Sequence, residues 1–224
     1  MAAKKNDLMM KTFGVIFGLI FLTGSGYQIV KMLEVPPEQM IAQAETLLLE
    51  NKLEQALAAA EKAESKHPKD ERILVVQGNI YQKMGKHSEA LQHFEAALKI
   101  NPNNSVLHEN VAILYANQNK LKEAAEHFES ALKLEPQNVQ AQNNLGVLYI
   151  ELKDLKKAQA AFEKALKLDP NFPDPYRNLG AIYQQQGKQK EVYLYLSQYL
   201  KRFPKAPDAE AIRKVLRKSI PSNK

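Results

Sequence analysis

Three asparagines recur at a fixed interval in the middle and C-terminal parts of the chain. Asn110, Asn144 and Asn178 are 34 residues apart. The side-chain amide of asparagine has both donors and an acceptor. It can therefore bond both the N–H and the C=O of an extended peptide, whatever side chains the peptide carries. Ala42 and Val76 hold the same phase earlier in the chain and do not continue the series. Because the three asparagines share one phase of this interval, a fold that stacks such units would bring them onto one face.

No other group of residues predicts catalysis or cofactor binding. The chain has no cysteine, which excludes disulfides and thiolate metal sites. No two of its five histidines are three or four residues apart, so no helical face offers a metal a local pair; His93 and His127 share a phase and are predicted on the surface. There is no glycine-rich phosphate loop, and the net charge of +6 is not interleaved with aromatics. We therefore expect no enzyme, cofactor, metal or nucleic-acid site.

The same interval extends to many further positions. Prolines, small residues, tyrosines, phenylalanines and two sets of alanines all keep it. The members are Pro68, Pro102, Pro136, Pro170 and Pro204; Ala44, Gly78, Ala112, Gly146 and Gly180; Tyr81, Tyr115, Tyr149 and Tyr183; Phe94, Phe128 and Phe162; Ala56, Ala90, Ala124 and Ala158; and Ala63, Ala97, Ala131 and Ala165.

Each period contains two stretches with the apolar spacing of a helix, for example about residues 139–152 and 155–168. Polar turns such as Lys153-Asp154 join the two stretches, and the prolines separate one pair from the next because proline cannot continue a helix. Small residues are expected where helices approach closely, and the tyrosines and phenylalanines are expected to fill the space between pairs.

This pattern resembles the tetratricopeptide repeat, a helix–turn–helix unit of about 34 residues. The resemblance implies an all-α, right-handed superhelical solenoid of five units, at 37–70, 71–104, 105–138, 139–172 and 173–206. The family's tryptophan near the start of the unit is absent. The terminal units depart from the pattern at Leu47, Ala60, Val192 and Tyr199, as end repeats commonly do. Residues 207–219 are predicted to form a capping helix, followed by a short tail at 220–224.

The resemblance also implies a concave groove lined by the first helix of each unit. In some members of the family, asparagines at this phase form a ladder along a bound peptide, and here the ladder would have three rungs, Asn110, Asn144 and Asn178. Arg177 could pair there with a ligand carboxylate, although the set of Lys, Asn and Arg that forms a carboxylate clamp in some relatives is incomplete. The mixed charges predict a polar or extended ligand. The candidate groove residues are Asn79, Glu109, Asn110, Gln140, Asn143, Asn144, Asp174, Arg177 and Asn178.

An apolar segment lies near the N-terminus. A basic tail, residues 1–12, precedes it, and residues 13–33 predict either a transmembrane helix or a cleaved signal peptide. The lysine bias predicts a cytoplasmic N-terminus with the repeats on the far, periplasmic or lumenal side; signal cleavage would instead predict a secreted or periplasmic protein. Gly14 and Gly18 have the spacing of a helix-association motif, which would permit self-association in the membrane.

Taken together, these patterns predict a membrane-tethered protein-interaction module. It would bind a peptide or client protein in the groove as an assembly factor or adaptor. The alternative is a permanent structural subunit of a membrane complex, in which the convex and terminal surfaces would matter as much as the groove.

Overall fold

The computed structural model describes residues 35–219, and these form eleven α-helices with no strand. In chain order the helices are α1 (Pro37–Leu49), α2 (Leu53–Lys66), α3 (Glu71–Lys83), α4 (His87–Ile100), α5 (Ser105–Asn117), α6 (Leu121–Leu134), α7 (Val139–Glu151), α8 (Leu155–Leu168), α9 (Asp174–Gln185), α10 (Gln189–Arg202) and α11 (Ala209–Ser219). Helices α1–α10 pair in sequence as five hairpins, each hairpin packs on the next, and α11 packs on α10. The described chain is therefore the all-helical solenoid that the 34-residue interval predicted.

Hairpins 2, 3 and 4 begin at polar side-chain caps, whereas hairpins 1 and 5 begin at Pro36 and Pro173 without one. Asn104 and Asn138 accept hydrogen bonds from the backbone N–H groups of Leu107 and Ala141, at 3.0 and 2.9 Å. Such bonds satisfy donors that have no partner within the helix. Each capping asparagine lies two residues after a proline of the repeated series, so the proline ends one hairpin and the asparagine begins the next.

The turn inside each hairpin has its own recurring feature. The residue that follows the first helix by two positions has a positive φ in all five hairpins, between 59° and 75°. These residues are Asn51, Gly85, Asn119, Lys153 and Gly187. Glycine and asparagine adopt this left-handed conformation most readily, whereas lysine at position 153 carries a steric cost.

Close helix packing explains the small-residue series. Gly146 of α7 lies against Phe162 of α8, and a Cβ at position 146 would stand 2.6 Å from the phenylalanine ring. The same arrangement recurs between Gly78 and Phe94. In the first hairpin, where Ala60 replaces the phenylalanine, the alanine is buried with 1% of its surface exposed. The sequence expectation that small residues mark close approach is therefore confirmed at these positions.

The last hairpin is closed by α11. Ile212 and Leu216 of α11 join Val192, Leu196 and Tyr199 of α10 in one apolar cluster. Thus Val192 and Tyr199, which depart from the alanines of the inner repeats, are buried in the same cluster as residues of the terminal helix. The structure has a helix in the segment for which the sequence predicts a cap, and this helix packs on α10.

The predicted membrane location is wrong for the chain that the structure describes. Between residues 35 and 219, no helix is both long enough and apolar enough to cross a membrane. The segment on which that prediction was based, residues 13–33 with the Gly14–Gly18 pair, lies outside the described residues, as does the basic tail before it.

Candidate peptide-binding groove

The three asparagines lie on the first helices of hairpins 3, 4 and 5, namely α5, α7 and α9. We call the surface of these helices that carries Asn110, Asn144 and Asn178 the groove face. All three side chains are half-buried. Gln140 donates a hydrogen bond of 2.9 Å to the side-chain oxygen of Asn144. Within residues 35–219, the side-chain amides of Asn110 and Asn178 bond to no other residue. Two of the three rungs therefore keep all their side-chain hydrogen-bonding groups for a ligand.

Exposed apolar residues lie beside the asparagines. Ile113 and Val147 are 37% and 39% exposed, and each follows an asparagine of the series by three residues. Val106, at the start of α5, is 59% exposed. Sequence reasoning missed this feature because it considered only polar groups. Ile113 and Val147 are themselves 34 residues apart, and this interval could have revealed them in the sequence.

A cavity of about 290 Å³ opens on the groove face between α5 and α7. It brings one asparagine of the series, Asn144, together with the exposed apolar side chains of both helices. Its lining residues are Ile113, Ala116, Asn117, Phe128, Asn144, Val147, Leu148 and Glu151.

Glu109 of α5 is held by a neighbouring turn. The side-chain amide of Asn138 donates a hydrogen bond of 2.6 Å to its carboxylate. Burial raises the pKa of Glu109, the nearby charge of Glu135 raises it further, and the bond from Asn138 opposes both effects. Ser105, at the start of α5, donates to Glu135, so both carboxylates are bound by residues of the chain itself.

Arg177 is exposed, but its guanidinium pairs with carboxylates of its own chain. Its guanidinium pairs with Asp174 of the same helix and, at 3.1 Å, with Asp208 just before α11. It also lies 5.9 Å from the centre of the Tyr199 ring. The residue predicted to meet a ligand carboxylate is thus matched by two carboxylates of its own chain, and Asp174 is engaged with it.

The two remaining candidates differ in their accessibility. Asn79 of α3 is half-buried, one hairpin before the asparagine series. Asn143 is only 4% exposed, and its side-chain oxygen has no hydrogen-bond partner within residues 35–219. Asn143 therefore belongs to the interior of the array, whereas the neighbouring Asn144 lies on the groove face.

Two histidines that are distant in sequence meet in the third hairpin. The Nδ1 atoms of His108 on α5 and His127 on α6 are 3.1 Å apart. The ring of His127 also packs against Tyr115. Burial lowers the pKa of His127, and the charge of His108 lowers it further, while Glu95 opposes both. In the described part of the chain, no three His, Cys, Asp or Glu residues are grouped in a way that would hold a metal ion.

Comparison with known proteins places this geometry in a family. Sequence profiles described as tetratricopeptide repeat match residues 72–104, 93–126, 112–173 and 145–217. No curated protein sequence matches the chain significantly. Among solved structures, residues 41 to the end of MamA from Desulfovibrio magneticus RS-1 superpose with a TM-score of 0.69 at 19% identity, covering 76% of this chain and 97% of that one.

Two further structures share the fold. YrrB, described as a TPR protein with an unusual peptide-binding site, has a TM-score of 0.70 at 23% identity and covers 80% of this chain and 92% of its own. PilW, described as a widely conserved type IV pilus biogenesis factor, has a TM-score of 0.65 at 23% identity and covers 82% and 85% respectively. These identities establish a common fold and no common ligand. With the profiles and the helical hairpins in agreement, residues 72–217 of this chain are tetratricopeptide repeats.

Proposed function

We propose that the chain is a protein-interaction module that binds an extended segment of a partner protein across α5, α7 and α9. One observation carries the proposal: the side-chain amides of Asn110 and Asn178, which occupy the same phase of the repeat as Asn144, have no partner among the described residues. A half-buried amide gains most from a ligand that supplies both a donor and an acceptor, and an extended peptide backbone supplies both at every residue.

The proposed site ends at its N-terminal side for a physical reason. Val76 holds the asparagine phase on α3, is 3% exposed and has no hydrogen-bonding group to offer. The bound segment would therefore cross hairpins 3 to 5. Asn79 lies one hairpin before the first rung, Asn110, while Glu109, Gln140 and Arg177 would shape the polar rim of the groove through the internal bonds described above.

The biological role that we propose is that of an assembly or biogenesis factor. Two similar folds support it by description: PilW is a pilus biogenesis factor, and YrrB has a peptide-binding site. A groove that relies on backbone recognition suits a factor that holds a client transiently. Its few neutral hydrogen bonds contribute about 0.5–1.5 kcal/mol each, so release is rapid.

A second role, that of a permanent subunit of a complex, is favoured by a different surface. Tyr193 and Leu194 on α10 are 49% and 48% exposed and adjacent in sequence. A subunit that uses this surface would copurify with its complex at a fixed ratio. An assembly factor would be substoichiometric and absent from the finished complex, so quantitative mass spectrometry of the purified complex separates the two roles.

The groove is tested by site-specific photocrosslinking in cells that express the full chain. A photoreactive residue replaces Asn117, an exposed residue on the rim of the cavity. We expect a partner adduct that falls at least about tenfold when Asn110, Asn144 and Asn178 are all changed to alanine, since three rungs together contribute more than 1.4 kcal/mol.

The matched control is the triple variant Asn103→Ala, Gln137→Ala and Asn171→Ala. These residues are also 34 apart, but they are exposed in the turns between hairpins. This control should keep the adduct. If the groove variant is folded by circular dichroism and keeps the adduct at full yield, the proposed groove is wrong. A photoreactive residue at position 193 reports separately on the α10 surface.

A further inference from the structure

The cavity between α5 and α7 has an apolar interior and a polar rim. Phe128 and Leu148 are buried, with 3% of their surfaces exposed. Ile113 and Val147 contribute partly exposed apolar side chains, one from each helix. Exposed apolar residues that gather in a concave site mark a binding surface more often than residues scattered singly.

The volume of the cavity suits one large side chain. At about 290 Å³ it exceeds the ~150 Å³ of an apolar protein cavity that is known to hold benzene. A leucine, phenylalanine or methionine side chain of a bound segment would therefore fit between Ile113 and Val147. Polar backbone contacts to Asn144, which also lines the cavity, would remain possible.

The charge on the lining of the cavity is opposite in sign to the net charge of the chain. The chain carries a net charge of +6, yet among the described residues that line the cavity only Glu151 is charged. Glu151 is exposed, and its carboxylate forms no ion pair or hydrogen bond with another residue in the range 35–219. Glu109, on the same groove face of α5, adds a second carboxylate whose hydrogen-bond partner, Asn138, is uncharged.

We propose that the cavity receives a large apolar side chain of the bound partner and that Glu151 selects a lysine or arginine close to it in the partner sequence. The proposal rests on the proposed function, because it assigns a ligand class to the same groove. Residues two apart in an extended segment point to the same side, ~7 Å apart. A basic residue at that spacing has a long flexible side chain with which to reach the rim.

The test uses immobilised libraries of 12-residue peptides with random flanks and a fixed centre. The three centres are Lys-X-Leu-X-Lys, Glu-X-Leu-X-Glu and Lys-X-Ser-X-Lys, where X is any residue. The full-length protein should be retained more strongly by the first library than by either of the others. An ion pair at an exposed site makes a difference of about two- to fivefold in affinity, which sets the expected preference for lysine over glutamate.

Charge reversal isolates the role of Glu151. The variant Glu151→Lys should prefer the glutamate library, and Glu151→Gln should lose the preference between the two charged libraries. The matched control is Glu126→Lys, which makes the same charge change at an exposed position on α6 outside the cavity. It should keep the wild-type preference, because net charge alone does not select the ligand.

The apolar half of the proposal has its own variant. Val147→Ser should remove the advantage of the leucine library over the serine library. If wild type binds the libraries but shows no preference, or if Glu151→Lys keeps the lysine preference, the ligand class is wrong while the groove remains. If wild type binds none of the libraries and the Asn117 crosslink is also absent, the proposed function itself is wrong.

Discussion

At the scale of single residues, glycine and phenylalanine set the distance between the helices of a hairpin. Gly146 is followed 16 residues later by Phe162, and the ring occupies the space that a side chain at position 146 would need. Both residues could be recognised in the sequence as members of repeated series. That they touch each other follows from the hairpin geometry.

Changing Gly146 to valine should destabilise the array. Overpacking of a tight interface costs about 1–3 kcal/mol, which exceeds the few tenths that valine gains over glycine in helix propensity. Chemical denaturation monitored by circular dichroism measures the free energy of unfolding. Ala160→Val, at an exposed position on the neighbouring α8, should cost less than about 0.7 kcal/mol. Equal effects of the two variants would contradict the packing argument.

The histidine pair predicts a stability that depends on pH. The pKa of His127 is lowered in the folded protein by burial and by His108, so protonation is easier after unfolding. The contribution of His127 to the free energy of unfolding is therefore fully present above about pH 6.5, the pKa of histidine in the unfolded chain. It falls as the pH drops below that value, by at most about 1.4 kcal/mol per pH unit. Glu95 opposes the effect, and Tyr115 packs on the same ring.

The measurement is the free energy of unfolding between pH 5 and pH 8 for wild type and His127→Gln. The variant should show a flatter dependence below pH 6.5. Some slope should persist because burial also lowers the pKa of His93. His87→Gln, at an exposed histidine of α4, is the control and should leave the slope unchanged. An identical slope in wild type and His127→Gln would refute the assignment.

At the scale of helices, a repeated tyrosine–glutamate bond ties hairpins 3, 4 and 5 each to the hairpin before it. Tyr149 on α7 donates to Glu129 on α6 at 2.5 Å, and Tyr183 on α9 donates to Glu163 on α8 at 3.3 Å. Tyr115 makes the same bond to Glu95, and this bond, together with burial, raises the pKa of the tyrosine to about 12. The tyrosine series was evident in the sequence, whereas its glutamate partners, also 34 apart, were overlooked.

Removal of one such hydroxyl should weaken one junction between hairpins. Tyr149→Phe is expected to lower the free energy of unfolding by about 0.5–1.5 kcal/mol, because Glu129 is exposed and regains water. Tyr193→Phe, at an exposed tyrosine of α10, should change it by less than about 0.5 kcal/mol. In a double-mutant cycle, Tyr149→Phe and Glu129→Gln should be non-additive. Additive effects would show that the bond contributes nothing.

At the scale of the whole molecule, the array is nearly one-dimensional. Each hairpin packs mainly on its sequence neighbours, and the apolar core is divided into four clusters along the chain. Stability in such an array is a sum of local terms and junctions, so damage at one end need not spread to the other. The terminal helix α11 is the part whose loss leaves an apolar surface uncovered.

A change in α11 should therefore loosen the C-terminal end alone. Ile212→Ala removes a buried side chain that packs on the last hairpin, and a loss of about 2–5 kcal/mol is typical for a fully buried isoleucine. Hydrogen exchange followed by mass spectrometry should speed up in α9–α11 and remain unchanged in α3–α6. Lys214→Ala, at an exposed position of the same helix, should leave all segments unchanged. Uniformly faster exchange would mean that the array unfolds as one unit.

The sequence by itself determined the period, the pairing of helices and the positions where small and large residues alternate. These properties repeat locally, and the apolar spacing of a helix is visible within one unit. Only the tertiary structure decided which polar side chains are already bonded or buried within the chain and which remain available to a ligand. Arg177 is engaged by Asp208, 31 residues away, and Asn143 is buried while Asn144 lies on the groove face. His108 meets His127 across 19 residues. Such partners arise where separate helices and hairpins pack together, and the repeat period alone does not specify which side chains meet there.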